Sequence, residues 1–286
     1  MIPRPVTTVR ALKVGPGRHL ELPEEVATEE PMQILVAGAG QQPAPLSVTM
    51  RTPGHDFELA AGFVVTEGVA APHEIASVDY CQAIEGDDPA SRFNHVTVHL
   101  THTWLGAGPE RRFAASSSCG ICGKATIDQV SIECRAVTVT HCFPASVITT
   151  LPDRLRHEQT TFDRTGGLHA AGLFPATGAL CCAREDIGRH NAVDKVVGWT
   201  VLSGRAMVSP DQTPAGPGLA LAVSGRVSFE IAQKAAMAGI GIIAAVSAPS
   251  SLAIEAARHL GVTIAAFVRG ETFNVYTHPE RIDYSS

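Results

Sequence analysis

An α/β fold is predicted for this chain: a parallel sheet covered on both faces by helices, preceded by a smaller N-terminal β/α subdomain. From about residue 168 onward, apolar runs alternate with helical stretches in the order strand–helix–strand–helix–strand, the pattern of parallel strands joined by crossover helices. The composition agrees. Ala and Gly are plentiful and aromatic residues make up 5%, which suits close-packed α/β layers better than an aromatic-rich sandwich. With 286 residues, 45% of them hydrophobic and 17% charged, the chain can bury a substantial core and has no signature of disorder.

Residues 1–40 read as a lead-in with a little strand structure, 41–165 as the N-terminal subdomain, and 166–286 as the α/β domain. Residues 46–50 (LSVTM) alternate as a strand does, and 56–65 read as a helix. The run 95–100 (HVTVHL) alternates strongly and reads as a strand with an exposed face, and 132–139 as a further strand. Residues 144–159 read as a helix with Pro144 near its start, where proline costs no hydrogen bond. In the C-terminal part, strands are expected at 179–183, 219–223, 240–246 and 263–268, and helices at 191–202, 229–238 and 251–260. The 191–202 helix is expected to be amphipathic, with Val193, Val196, Val197 and Val201 on a common side. Residues 208–218 (VSPDQTPAGPG) read as an exposed loop.

Charge and hydropathy exclude some function classes. The net charge is -6 and basic residues are scattered, which gives no reason to expect nucleic acid. The first 30 residues carry prolines and acids and lack the apolar core of a signal peptide. The most apolar run, 235–248, is too short for a membrane span and is interrupted by Gly and Ser, so no membrane association is expected. Seven cysteines without an export signal imply reduced thiols and a cytoplasmic protein, and the odd count argues against a complete disulfide framework.

In an open parallel sheet, ligands bind outside the carboxyl ends of the strands. The expected strand ends run into Arg184-Glu185-Asp186-Ile187-Gly188-Arg189-His190-Asn191, Ser224-Gly225-Arg226-Val227-Ser228, Ser247-Ala248-Pro249-Ser250-Ser251 and Arg269-Gly270-Glu271-Thr272. All four would share one edge. Glycine allows close backbone approach, helix-start N–H groups bind anions, and Arg226 and Arg269 are fork-shaped donors suited to phosphate. A pocket for a phosphate-bearing, nucleotide-like ligand follows, set against the plainer reading that such residues merely end strands and cap helices. Neither GxGxxG nor GxxxxGK[ST] occurs, which argues against an ordinary dinucleotide or P-loop site. His169, in Thr165-Gly166-Gly167-Leu168-His169, is a candidate base or ligand, or a hydrogen-bonded core histidine; His190 reads as a turn-organising residue.

The segment Ser116-Ser117-Ser118-Cys119-Gly120-Ile121-Cys122-Gly123-Lys124 is a CxxC set among small residues, followed by a stretch that reads as a helix start. A thiol at a helix N-terminus is favoured as thiolate. Three roles remain open on residue pattern. A structural zinc site would need two ligands beyond Cys119 and Cys122, from Cys134, His141 or Cys142. A thioredoxin-like dithiol expects a preceding strand and a larger neighbour beside the first cysteine. A sulfur-carrying thiol needs an activated cysteine on a loop that can reach donor and acceptor.

The order of Ser117-Ser118-Cys119-Gly120-Ile121-Cys122-Gly123, Thr165-Gly166-Gly167-Leu168-His169-Ala170-Ala171, Glu185-Asp186-Ile187-Gly188-Arg189-His190-Asn191-Ala192-Val193-Asp194-Lys195, Ser224-Gly225-Arg226 and Tyr276-Thr277-His278-Pro279 resembles the FdhD family of formate dehydrogenase accessory sulfurtransferases, over roughly residues 40–283. The resemblance implies a fold similar to cytidine deaminases: a three-layer sheet with helices on both faces. It implies a cysteine persulfide on Cys119, with Cys122 as second cysteine, loaded by a cysteine desulfurase. It also implies binding of the molybdenum bis(molybdopterin guanine dinucleotide) cofactor along Phe267, Val268, Arg269, Gly270, Glu271 and Thr272, with GDP as a mimic. Formate dehydrogenase would be the client, and a homodimer the assembly. A deaminase would need His-x-Glu and Pro-Cys-x-x-Cys; here His169-Ala170-Ala171 lacks the glutamate and Ser224-Gly225-Arg226 brings no cysteine, so neither catalytic zinc nor deamination is expected.

Overall fold

The computed structural model describes residues 4–81, 91–106, 136–138, 142–205 and 218–285. Cys119 and Cys122, the helix expected after them, Cys134 and His141 lie outside the described residues, as does nearly all of the 208–218 loop.

The expected lead-in is instead well ordered into strands. Strands β1 (Val6–Gly15) and β2 (Arg18–Ala27) form a ten-residue antiparallel hairpin, from Val6↔Ala27 to Gly15↔Arg18. Gly17 has φ +72 in its turn, the left-handed conformation that tight hairpins require. A bidentate pair from Arg164 to Glu25 ties the base of the hairpin to the body. Strands β3 (Glu30–Ala37), β4 (Ala44–Arg51), β5 (Ile75–Tyr80) and β6 (His95–Leu100) make a second sheet in the order β4-β3-β6-β5. This sheet joins residues on both sides of the boundary expected at 40. Its strand β6 is central, and Val96, Thr97, Val98 and Leu100 are all buried, so the expected exposed face is largely covered. Helix α1 (Asp56–Thr66) packs Leu59, Ala60 and Val64 onto Met32, Ile34, Val96 and Val98.

The C-terminal sheet has six strands in the order β13-β12-β11-β10-β8-β9, namely β8 (His169–Pro175), β9 (Cys182–Asp186), β10 (Leu219–Val223), β11 (Ile242–Ala245), β12 (Thr263–Arg269) and β13 (Thr272–Val275). Strands β10, β11 and β12 are parallel, whereas β8 runs antiparallel to both of its neighbours and β13 antiparallel to β12. The sheet is therefore mixed, not wholly parallel. The expected 179–183 strand lies three residues later, and β8 and β13 are additions to the expected set. A short parallel pair joins β7 (Phe143–Pro144) to β14 (Ile282–Asp283).

Helices cover both faces of this sheet. On one side α4 (Arg189–Leu202), α5 (Phe229–Met237) and α6 (Ser251–Leu260) bury Val193, Val196, Ile231, Ala235, Ala257 and Leu260 against Leu173, Leu221, Ile243 and Ile264. On the other, α2 (Ala145–His157) packs Ile148, Leu151 and Leu155 onto Ala170, Phe174, Ala220, Ala222, Ile242 and Ala244. The short helix α3 (Thr160–Thr165) follows. Residues 145–165 thus belong to the C-terminal layers and not to the N-terminal subdomain in which the sequence placed them. Helix α4 is buried nearly all round, from Asn191 to Gly198, because α1 covers the side turned away from the sheet. Its expected amphipathicity is replaced by paired charges inside the core. Among the described residues, no helix is long and apolar enough to cross a membrane.

Candidate nucleotide-type site at the sheet edge

Because β9 runs in the same sense as β10, β11 and β12, the four loops expected on one edge do share it, and the N-terminus of β8 joins them: His169 pairs with Asp186 in the ladder. The shift of β9 moves Arg184, Glu185 and Asp186 out of the expected loop and into the strand.

Most of the 185–195 motif is consumed in holding this edge together. Glu185 accepts hydrogen bonds from the Thr161 and Phe162 backbone N–H groups at 2.9 and 2.7 Å, capping α3. Asp186, fully buried, meets Lys195 Nζ at 2.7 Å and accepts from the N–H groups of Thr52 and Gly188 and from Asn191 Nδ2. Lys195 donates to the Thr52 and Glu185 carbonyls, and Asn191 to the Met50 carbonyl. Asp194 accepts from Thr66 Oγ1 at 2.6 Å and pairs with Lys234 at 3.0 Å. The motif is a staple between the two sheets.

Two members of the motif are left over. Arg189 has a buried Nε that donates to no acceptor among the described residues. His190 lies 3.4 Å from Ser228 Oγ and 3.7 Å from Glu230, and burial, with the Arg189 and Lys234 charges, pushes its imidazole down to about 4.

A cavity of about 650 Å³ opens at the edge, within the range of small-molecule sites, about 300–1,000 Å³. Of the residues predicted to bind ligand, Ser224, Val268, Arg269 and Gly270 line it; Gly225, Arg226, Phe267, Glu271 and Thr272 do not. His169 lines it as well, and so does a wall of α2 and α3 residues that carried no signal in the sequence, among them Asp153, Arg156, Gln159 and Phe162. Ser224 stitches β10 to β8: its Oγ accepts from the Ala170 N–H at 2.9 Å, and its N–H donates to the Ala170 carbonyl at 3.0 Å. Gly225 makes room for His169, since a Cβ there would stand 3.3 Å from Nδ1. Burial, then the Arg189 charge, holds the His169 imidazole below its ordinary pKa, with Arg226 adding to the effect and Asp186 opposing it. The ring is therefore a neutral hydrogen-bonding group at neutral pH.

The 267–272 segment is a strained hairpin. Phe267 has φ +54, a left-handed conformation that costs a bulky residue on the order of 1–3 kcal/mol, and the ladder shifts register between Ala266 and Arg269. Gly270, with φ +54, makes the tight turn, and Thr272 Oγ1 donates to the Arg269 carbonyl at 3.2 Å. The bulge sits on the site and re-aims the strand end, the usual use of such irregularities. Arg226 and Arg269 are exposed, and neither is ion-paired among the described residues. Two unpaired guanidinium groups, an orphaned Arg189 Nε and glycine backbone at one edge form an arrangement fit for an anionic, phosphate-bearing group.

The sequence profile of the FdhD/NarQ family matches residues 27–283. The chain is a member of that family. It is 44% identical over 281 residues to the sulfur carrier protein FdhD of Mycolicibacterium paratuberculosis, covering 96% of this chain and 97% of the relative. Identity to the protein of the same name from Mycobacterium tuberculosis is 47% over 274 residues, covering 91% and 92%. That from Thermoplasma volcanium is 42% identical over 280 residues, covering 97% and 96%. The fold is similar to a crystal structure of a formate dehydrogenase accessory protein from Desulfotalea psychrophila, with a TM-score of 0.72 and 26% identity, covering 97% of this chain and 99% of the other. Family membership thus runs across both sheets and through the edge just described.

Proposed function

We propose that the protein is a sulfurtransferase that takes sulfane sulfur from a cysteine desulfurase onto Cys119 and delivers it to molybdenum bis(molybdopterin guanine dinucleotide), for the catalytic subunit of formate dehydrogenase. The observation that carries this reading is the cavity at the sheet edge, where Ser224, Val268, Arg269 and Gly270 meet, in a chain 42–47% identical to relatives named sulfur carriers. The guanine dinucleotide is the cargo of that edge, with its phosphates on Arg269 and the Gly270 turn. The cytidine-deaminase-like arrangement belongs to the same reading, supported by a mixed sheet with helices on both faces.

The chemistry balances as follows. The Cys119 thiolate attacks the outer sulfur of the desulfurase persulfide. A new S–S bond forms on Cys119, and the desulfurase cysteine leaves as thiolate. The Cys122 thiolate then attacks Cys119 Sγ. The Cys119–Cys122 disulfide forms, and hydrosulfide leaves toward the metal. A cellular dithiol reduces the disulfide for the next round. Reduced thiols of this kind accord with a cytoplasmic site of action. A homodimer is supported by the hairpin, one face of which carries Val9, Leu20 and Leu22 at 39%, 60% and 36% exposure, a surface that a second copy would cover.

The test is intact-mass analysis and peptide mapping after incubation with a cysteine desulfurase and cysteine. Gain of sulfur on the 119–122 peptide, reversed by reductant and absent in Cys119→Ala, is the expected result. No gain, in protein that still binds GDP, would replace the carrier reading with that of a cofactor chaperone.

A further inference from the structure

We infer that Gln41 and Arg281 are positioning residues for the sulfur-carrying cysteines: they clamp the two ends of the chain segment on which Cys119 and Cys122 lie, one end to each half of the molecule. Their role rests on the sulfur-carrier reading above and adds to it the residues that hold the carrier segment in place. Both clamps consist wholly of described residues, with Trp104 before the cysteines and Val137 after them.

Beyond Leu100 the chain leaves β6, and among the described strands none pairs with Trp104. Gln41, in the β3–β4 connection, takes that place with its side chain. Its Oε1 accepts from the Trp104 N–H at 2.8 Å, and its Nε2 donates to the Trp104 carbonyl at 3.1 Å. This is the paired exchange of an antiparallel ladder, made by one carboxamide. Beside it the Ala39 N–H donates to the His102 carbonyl at 2.9 Å. Gly38 leaves the room, since a Cβ there would collide with Gln41 Oε1, the Trp104 nitrogen and the His102 carbonyl oxygen. At the other end Val137 lies in no helix or strand, yet both of its main-chain groups are taken and its side chain is buried in the core of the six-stranded half. Its N–H donates to the Leu260 carbonyl at 2.9 Å, and its carbonyl accepts from Arg281 Nη2 at 3.2 Å. Arg281 Nη1 donates to the Gly261 carbonyl, so one guanidinium joins Val137 to the C-terminus of α6. Gly261 is required twice over: it takes φ +67 to end the helix, and a Cβ on it would stand 2.7 Å from the Val137 oxygen.

A cation at a helix C-terminus is ordinarily a cap. A cap accounts for the Gly261 contact alone. Val137 lies outside the helix, and it is Val137 that takes up the Leu260 carbonyl. Two unlike devices, in different halves of the molecule, thus act on one segment, and that segment bears the CxxC. Thiol exchange depends on where the attacking sulfur stands, and a misplacement of about 1 Å can cost about a hundredfold in rate.

The experiment follows persulfide formation on the full-length protein, as initial rate against desulfurase concentration, in wild type, Gln41→Ala, Arg281→Lys and the double variant. GDP affinity and the rate of iodoacetamide alkylation of the 119–122 peptide are measured alongside. Lysine keeps the charge but cannot fork onto two carbonyls. Each single variant is expected to load sulfur with kcat/KM lowered about tenfold, and the double variant lower still, while GDP affinity and alkylation stay within about twofold of wild type. That split separates positioning from thiol chemistry and from general damage: a small reagent reaches the thiols without docking, and a loosened fold would weaken GDP as well. Gln41 is exposed at a turn, so Gln41→Ala carries the test if Arg281→Lys does not fold. A Gln41→Ala protein that loads like wild type, or variants that lose loading and GDP binding in parallel, would overturn the inference. Wild type that binds GDP yet gains no sulfur would instead remove the sulfur-carrier reading on which the clamps' role rests.

Discussion

Gly62 of α1 and Gly198 of α4 bring two helix backbones into direct contact: a Cβ on Gly62 would stand 1.8 Å from the Asp194 carbonyl oxygen, and one on Gly198 1.7 Å from that of Glu58. This crossing joins the four-stranded and six-stranded halves of the molecule. No side-chain rotamer can relieve either clash, because the obstacle is backbone. Gly198→Ala should therefore push the helices apart and cost about 3 kcal/mol, the upper end of ordinary overpacking. Urea unfolding of the variant against wild type measures it; a loss under about 0.5 kcal/mol, the range of neutral surface changes, would contradict the close crossing.

Asp186 is the hub of the staple beneath the cavity. Its carboxylate takes one ion pair and three hydrogen bonds, and its partner Lys195 is as deeply buried. Asp186→Ala leaves the Lys195 ammonium without its counter-charge, at a cost of about 3–5 kcal/mol. Adding Lys195→Met should recover part of that loss, since the uncompensated charge is then removed. Thermal unfolding of the single and double variants tests this; a double variant no more stable than Asp186→Ala would show that the charge is not the source of the penalty.

Stability should fall on acidification through His190. Its folded-state pKa is depressed from 6.5 to about 4 by burial first and by the Arg189 and Lys234 charges next, against the opposing pull of Glu230 and Glu67. The unfolded chain therefore takes up the proton first as pH drops. The contribution is complete above about pH 6.5 and is lost as the pH falls toward 4, in all about 2 kcal/mol after allowance for partial exposure. His190→Gln should flatten the stability profile between these limits, as read by denaturant unfolding at several pH values. An unchanged slope in the variant would assign the acid sensitivity to other groups.

The sequence conveyed elements whose pattern reflects burial, and misled where glycine or charge serves packing. Strands β10, β11 and β12 and helices α1, α5 and α6 stand within two residues of expectation because their apolar runs face the core. Strand β8 was hidden by Gly172 and Pro175, which look like turn residues. Yet a Cβ on Gly172 would come within 3.0 Å of Leu155 Cδ1 and Phe174 Cε2, so the glycine is there to admit α2 onto the sheet. Strand β9 was displaced because Arg184 and Glu185 look like loop residues, whereas Arg184 forks onto Glu58 and Glu185 caps α3. The hairpin of β1 and β2 has hydrophobic and charged residues on both faces and gives no period-two signal. At the site, the strand-end loops were legible from their Gly, Ser and Arg. The α2–α3 wall was not, because Asp153 and Gln159 on a helical segment look like any solvated face.

The two halves of the proposed function are separable by substitution. Arg269 is exposed at the cavity and unpaired among the described residues, so Arg269→Ala removes a phosphate donor without leaving a buried charge behind. It should weaken GDP about tenfold and leave desulfurase-dependent sulfur loading intact. Cys119→Ala should do the reverse: GDP affinity stays as in wild type, sulfur loading disappears, and formate dehydrogenase co-produced with the variant stays inactive. Both variants should fail to activate the client, but for different reasons, and a mixture of the two should still fail if loading and delivery occur within one chain. Activation by the mixture would instead mean that sulfur passes from the cysteines of one copy to the cofactor held by another. Loss of GDP binding in Cys119→Ala would show that the thiol and the nucleotide edge are one site and not two.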